Sequence, residues 1–199
     1  MMDWSFFTSV ALFAAVMTGT PGPNNVMLTA SGANFGYRLT VPHFVGIGFG
    51  LLTQMVLIAA GLGVVFERYP EVQQVLRVTS SAYLLYLAWR IGTAAPPTGR
   101  DDDHSRPMTL FESALFQYLN PKAWIMSLTA VGTFSFSGDQ FWWSVVGMGM
   151  IFWFVQLHTS SVWVVFGTLI RRWLSSATAW RCFNVTMGLL TASCVGFIW

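Results

Sequence analysis

The sequence predicts an all-α integral membrane protein. Six transmembrane helices form two inverted three-helix repeats, and the first helix of each repeat is broken. Three observations predict this. Only 9% of the 199 residues are charged, and 54% are hydrophobic; a soluble domain carries about 25% charged residues. Six segments are apolar over the roughly 20 residues that a bilayer-crossing helix needs. Prolines interrupt two of those segments 100 residues apart, at Pro21 and Pro121.

The mean hydropathy of +0.57 agrees with the composition. Together they exclude a disordered chain, a collagen-like repeat, a secreted disulfide scaffold and an ordinary cytosolic enzyme. The net charge of +2 and the lack of a basic stripe exclude a nucleic-acid partner. Period-2 alternation is missing, which argues against a membrane β-barrel.

The first span covers residues 4–30 and is interrupted at Thr20-Pro21-Gly22-Pro23. Its only preceding charge is Asp3, whereas a cleavable signal peptide wants a basic leading region. The segment is therefore expected to be retained. The second span, 40–66, is glycine-rich. Gly46 and Gly50 fit a small-xxx-small helix contact. The run is no dinucleotide fingerprint, because no strand precedes it. The third span is 72–92, with Tyr83 and Tyr86 on one face. Residues 93–109 form a polar linker with three prolines and five charges. Its Asp101, Asp102, Asp103 and His104 read as a solvated acidic loop, since no second ligand cluster exists to complete a metal site.

The fourth span, 110–134, is interrupted at Asn120-Pro121-Lys122. The fifth is 141–168 and the sixth 179–199. Cys182 and Cys194 lie about 18 Å apart along that last helix, too far for a disulfide.

The organisation is thus 1–92 as the first repeat, 93–109 as a cytoplasmic linker and 110–199 as the second repeat. Three spans per repeat is odd, so the second repeat enters the membrane from the opposite side. Val64-Val65-Phe66 and Val164-Val165-Phe166 also lie 100 residues apart. Arg38, Arg90, Arg100, Arg106, Arg171, Arg172 and Arg181 fall on one side, and Arg68 and Arg77 on the other. The arginine-rich side is cytoplasmic, so both termini are expected in the periplasm.

The breaks carry the functional reading. Proline inside a helix removes a backbone hydrogen bond. In lipid, each orphaned group costs several kcal/mol unless protein or water satisfies it. Thr20 and Asn120 are N-cap types, and Pro21 and Pro121 suit the first position of a helix. Each span can therefore restart as a half-helix near mid-membrane, with free N–H groups and a partial positive charge suited to a carboxylate. Asn24 and Asn25 follow in the first turn, and Lys122 occupies the matching turn of the second repeat. A lysine twelve residues into a span is a functional candidate by default. It would meet a substrate carboxylate or lose its proton during the cycle; the structural alternative is that it satisfies the carbonyls of a broken helix.

The candidate substrate-binding residues are Thr20, Pro21, Gly22, Pro23, Asn24, Asn25, Asn120, Pro121 and Lys122. Gln54, Gln117, Gln156, His158 and Asn184 are expected to face the bundle interior. Gln54, Tyr83, Gln156, His158 and Asn184 are candidates to line a cavity. Gly-x-Ser-x-Gly, His-Glu-x-x-His and P-loop motifs are absent, so no enzymatic activity, ATP coupling or cofactor is expected.

Thr20-Pro21-Gly22-Pro23-Asn24-Asn25 and Leu119-Asn120-Pro121-Lys122-Ala123 resemble the LysE/RhtB family of amino-acid exporters. Further matches are Gly36-Tyr37-Arg38, Ala82-Tyr83-Leu84-Leu85-Tyr86-Leu87-Ala88-Trp89, and Asn184 with Gly188. The likeness covers nearly the whole chain. Its Pro-Gly-Pro-Asn-Asn form and Tyr-Leu-Ala-Trp-Arg stretch are similar to the cysteine/O-acetylserine exporter branch. The resemblance implies a multi-pass carrier of the bacterial inner membrane. It would expel small amino acids or their derivatives, with a coupling proton and without a cofactor. The alternative is a metal-ion or other small-solute effluxer of the same architecture. That reading wants ligand clusters inside the spans, where the sequence offers His158 and little else. A membrane redox enzyme would need cysteines at the broken helices, and none is there.

Overall fold

The computed structural model describes residues 3–95 and 106–199. Residues 96–105 of the predicted linker, with Asp101, Asp102, Asp103 and His104 among them, therefore lie outside the described residues. Among those described, all regular structure is helical.

Helix α1, Trp4–Gly19, is capped by Asp3, whose carboxylate accepts from the Phe6 N–H at 3.0 Å. That bond, with a second from the Ser5 hydroxyl, holds the Asp3 carboxyl below its ordinary pKa. Helix α2, Pro23–Phe35, leaves α1 at a bend of 62°. It is buried continuously from Met27 to Asn34, because small residues there let neighbouring backbones close in. Gly36, at φ 82°, ends α2 and turns directly into α3, Tyr37–Leu57. A π-helical turn at Ile58–Leu62 follows, with Gly61 at φ 108°, and then α4, Gly63–Arg68. The second predicted span is thus interrupted as well, at a position only glycine adopts without strain. Helix α5, Pro70–Gly92, starts with proline at its first position.

In the second half, Thr109 and Glu112 form a capping box that starts α6, Leu110–Phe116. A 3₁₀ turn, Gln117–Leu119, leads into α7, Pro121–Phe134, capped by Asn120. Helix α8, Phe141–Arg171, and α9, Ala177–Ser193, complete the bundle. Cys182 and Cys194 are free thiols.

Two segments, Tyr37–Val65 and Gly138–Arg171, are long and apolar enough to cross a membrane. The bent α1–α2 pair makes a third if it is counted as one span. The third predicted span falls short because α5 begins Pro70-Glu71-Val72-Gln73-Gln74 and carries Arg77 and Arg90. The fourth is divided between two shorter helices.

Polarity is distributed inside out. Leu12, Val162 and Leu189 are each more than 65% exposed in the middle of their helices. Asn25, His43, Gln54, Gln117, Asn120, Gln156 and Asn184 are buried. Large apolar side chains on the outside and amides on the inside suit lipid rather than water.

The first half of each broken segment runs alongside the long helix of the other half. Phe13 stacks near Phe152 at 6.0 Å and Thr18 bonds Thr159 at 2.8 Å, so α1 and α8 run in the same direction. A Cβ on Gly46 would lie 2.2 Å from the Leu110 carbonyl oxygen, and one on Gly50 2.5 Å from that of Ala114. Helix α6 therefore runs with α3. Helix α2 presses on α8 as closely, with a Gly167 Cβ falling 2.1 Å from the Thr29 carbonyl oxygen.

Candidate functional site

The two interruptions meet. The last carbonyls of a helix have no partner within it, and those of α1 are satisfied from three other elements. Asn25 of α2 donates to the carbonyls of Thr18 and Thr20, both at 2.8 Å. The Trp163 indole of α8 donates to Gly19 at 3.1 Å. Lys122 of α7 donates through Nζ to the Thr20 carbonyl and hydroxyl, both at 2.8 Å, and to the Pro21 carbonyl at 3.4 Å. An ammonium has three N–H bonds and here meets three oxygens. It also sits at the negative end of the α1 dipole.

The lysine therefore satisfies the broken helix, the structural role that sequence left open beside the functional ones. Gly22 makes room for it: a Cβ there would lie 3.1 Å from Lys122 Cδ and 3.3 Å from Nζ.

The restart of α7 is the one expected. Asn120 Oδ1 accepts from the Lys122 N–H at 3.1 Å, and Pro121 takes the first position. The Ala123 N–H returns to the Asn120 carbonyl. This half-helix thus keeps its first donors for itself. The restart of α2 differs from the expectation. Thr20 closes α1, Gly22 is the residue before the helix, and Pro23 rather than Pro21 takes the first position. With two prolines two residues apart, the later one sets the start. Gly22 gives α2 no side-chain cap. The backbone N–H groups of Asn24 and Asn25 hydrogen-bond to no other described residue.

Amide pairs tie the halves together. Asn24 Nδ2 donates to Gln117 Oε1 at 2.9 Å, and Gln117 Nε2 returns a bond to Asn24 Oδ1 at 3.2 Å. Gln54 donates to the Gln117 carbonyl at 3.3 Å and accepts from Ser127 at 3.2 Å. Asn34 and Asn184 pair in the same reciprocal way at 2.9 and 3.4 Å, and Asn184 also donates to the Ala94 carbonyl at 3.0 Å.

A cavity of about 30 Å³ lies at the junction, against Gly22, Asn24, Asn25, Asn120, Lys122 and Gln156. That volume holds about two waters, not an amino acid. The oxygen of the buried Gln156 amide has no partner among the described residues. Thr20 meets the junction through its carbonyl and hydroxyl and Pro21 through its carbonyl, and neither they nor Pro23 line this cavity.

Gln54, Asn184 and Tyr83 line no described cavity. The first two are consumed in the amide networks, and Tyr83 packs on Phe116 at 5.8 Å. His158 does not face the interior. The buried stripe of α8 is Ser144, Met148, Phe152, Gln156, Ser160, Val164 and Gly167. Two residues past Gln156 is about 200° around the helix, so His158 is exposed on the outer face. Its ring lies against Phe154, and Nδ1 meets the Phe154 carbonyl at 2.8 Å.

A second, larger cavity of about 340 Å³ opens at the other end of α2, between α2, α3, α5 and residues 106–108. His43, Ser31 and Asn34 line it, and none of the three was singled out by sequence. The signal was there: His43, Ile47, Gly50 and Gln54 are spaced as one helix face, and all are buried. Among the described residues, no three of His, Cys, Asp and Glu gather as metal ligands.

A family model described as LysE type translocator matches residues 15–196. Cysteine/O-acetylserine efflux proteins of Escherichia coli strain K12, Shigella sonnei and Shigella flexneri are each 28% identical over 193 residues, which is 96% of this chain and 94% of theirs. No solved structure matches.

Proposed function

The chain belongs to the LysE type translocator family, and from that membership we propose a secondary exporter of small amino acids or their derivatives, driven by the proton gradient across the bacterial inner membrane. A translocator is a transporter, not an enzyme, and its apolar helices make it a membrane protein. The finer reading is six spans in two inverted repeats, 1–92 and 110–199, with both termini in the periplasm. The mutual arrangement supports it: α1 lies along α8 as α6 lies along α3. Such reciprocal pairing is what two oppositely inserted copies produce.

One observation carries the mechanism. Lys122 of the second repeat holds the break of the first through three hydrogen bonds, and next to it α2 presents two unused N–H groups. In this closed arrangement the ammonium is a latch. A substrate carboxylate competes for the ammonium and for the α2 N–H groups. Loss of the lysine proton removes one of three donors and releases the same contact. Either event frees α2 to move against α7, with Thr20, Pro21, Gly22, Pro23, Asn24, Asn25, Asn120, Pro121 and Lys122 as the residues around the passing solute.

The names of the relatives make cysteine and O-acetylserine the first probes. The test is amino-acid efflux from cells overexpressing the chain, with Lys122→Ala as control. Accumulation of a small set of amino acids outside wild-type cells, lost in the variant at equal protein level, is the expected result. A well-expressed protein that exports no amino acid overturns the reading and turns the search to metal tolerance.

A further inference from the structure

We propose that the larger cavity at the carboxyl end of α2 is a solute-loading site, in which His43 and Arg90 take the carboxylate of the amino acid before it reaches the break. The proposal rests on the exporter reading above and places its first binding event.

His43 is 1% exposed, and neither ring nitrogen has a hydrogen-bond partner among the described residues. A neutral imidazole carries one donor and one acceptor, and buried polar groups in folded proteins are paired almost without exception. His43 lines the cavity, so a ligand there can supply the missing partners. The other buried polar residue of α3 before Gln54, Thr40, has its hydroxyl paired with Ser31 and with the Gly36 carbonyl, which leaves His43 as the one without a partner among the described residues.

Charge points to an anion. Among the described residues, two cations and no carboxylate line the cavity. Arg106 is already held by both oxygens of Glu112, at 2.7 and 2.5 Å. Arg90 rests over the Tyr86 ring at 5.9 Å and has no carboxylate partner among the described residues. Arginine binds a carboxylate bidentately and stacks on aromatic faces at the same time.

The remaining wall is prepared for a small molecule. Ser31 is fixed by Thr40 at 2.9 Å and Asn34 by Asn184, so neither collapses into the space. Met27, Leu87 and Met108 supply apolar surface. The volume of about 340 Å³ lies in the range of small-molecule pockets. Helix α2 lines both this cavity and the closed junction. The ten residue steps from Asn25 to Phe35 span roughly 15 Å. The same helix therefore carries the loading site at one end and the latched break at the other, with Gly22 and Gly36 at its two ends.

Everted membrane vesicles present the arginine-rich side to the medium, so export is read as uptake of radiolabelled cysteine or O-acetylserine. Wild type is compared with His43→Gln, His43→Leu and Arg90→Gln, each checked for protein level and melting temperature. The expected result is a half-saturating concentration raised at least tenfold in His43→Leu and Arg90→Gln, less in His43→Gln, with maximal rates within twofold of wild type. If His43→Leu fails to accumulate, the two conservative variants decide alone. Unchanged half-saturation in well-folded variants overturns the loading site and leaves the exporter reading intact. A wild type that takes up neither probe nor any other amino acid overturns both.

Discussion

Replacing Lys122 removes three donors from a charged contact between the two halves. Thr20 and Pro21 are exposed, and the Thr20 carbonyl keeps its bond from Asn25, so little stability rests on these three bonds. Lys122→Met is therefore expected to stop efflux while leaving the melting temperature in detergent nearly unchanged. Gly22→Val reaches the same end without touching the charge, because its side chain takes the space where Lys122 Cδ and Nζ now lie. It is expected to cut efflux at least tenfold; efflux at the wild-type rate in Gly22→Val would show that the ammonium need not sit where it does. Sequence made Lys122 legible, since a charge and a helix break coincided. It made His158 legible as chemistry and silent as geometry, because a residue on an apolar helix announces its type but not its face. His43 carried no local signal, and only its register with Ile47, Gly50 and Gln54 placed it inside.

At the scale of elements, the breaks show what local grammar decides. Asn120-Pro121 gave the start of α7 correctly because one cap and one proline leave a single choice. Thr20-Pro21-Gly22-Pro23 offered two prolines, and the two-residue difference in the start of α2 followed from tertiary contacts: Asn25 and Lys122 reward Thr20 for ending α1. The interruption at Gly61 was hidden, since a glycine inside an apolar run reads equally as a contact or a kink. Helix contacts give a sharper test. Gly167 touches the α2 backbone so closely that any side chain forces the helices apart. Gly167→Val is expected to abolish accumulation of folded protein, measured by size-exclusion chromatography. Gly132→Ala in α7, where an added Cβ meets no atom within 4 Å, is the matched control. It is expected to leave folding and efflux unchanged or gain up to about 1 kcal/mol from helix propensity. Equal losses from both variants would refute the claim that close approach, rather than glycine content, holds α2 to α8.

For the whole molecule, the decisive property is direction. Pairing α1 along α8 and α6 along α3 fixes which helices run together, but not which end meets the cytoplasm. That choice belongs to the arginines, which gather at the α2–α3 turn, the carboxyl end of α5 and the α8–α9 turn. Lysine and arginine in short loops resist transfer across the membrane during insertion. The turn before α8, at Ser137, has Asp139 and no basic residue, whereas the turn after α8, at Ser175, follows Arg171 and Arg172. Both serines are exposed. Single cysteines at these two positions, in a chain whose Cys182 and Cys194 are replaced by serine and alanine, report the direction of α8. Intact cells treated with a membrane-impermeant maleimide are expected to label Ser137→Cys and to spare Ser175→Cys until the membrane is opened. The reverse pattern inverts the molecule and moves the loading cavity to the outer face, where an exporter would release its solute rather than collect it. The labelling experiment therefore tests the orientation and the direction of transport through the same α8 helix, on which both halves lean.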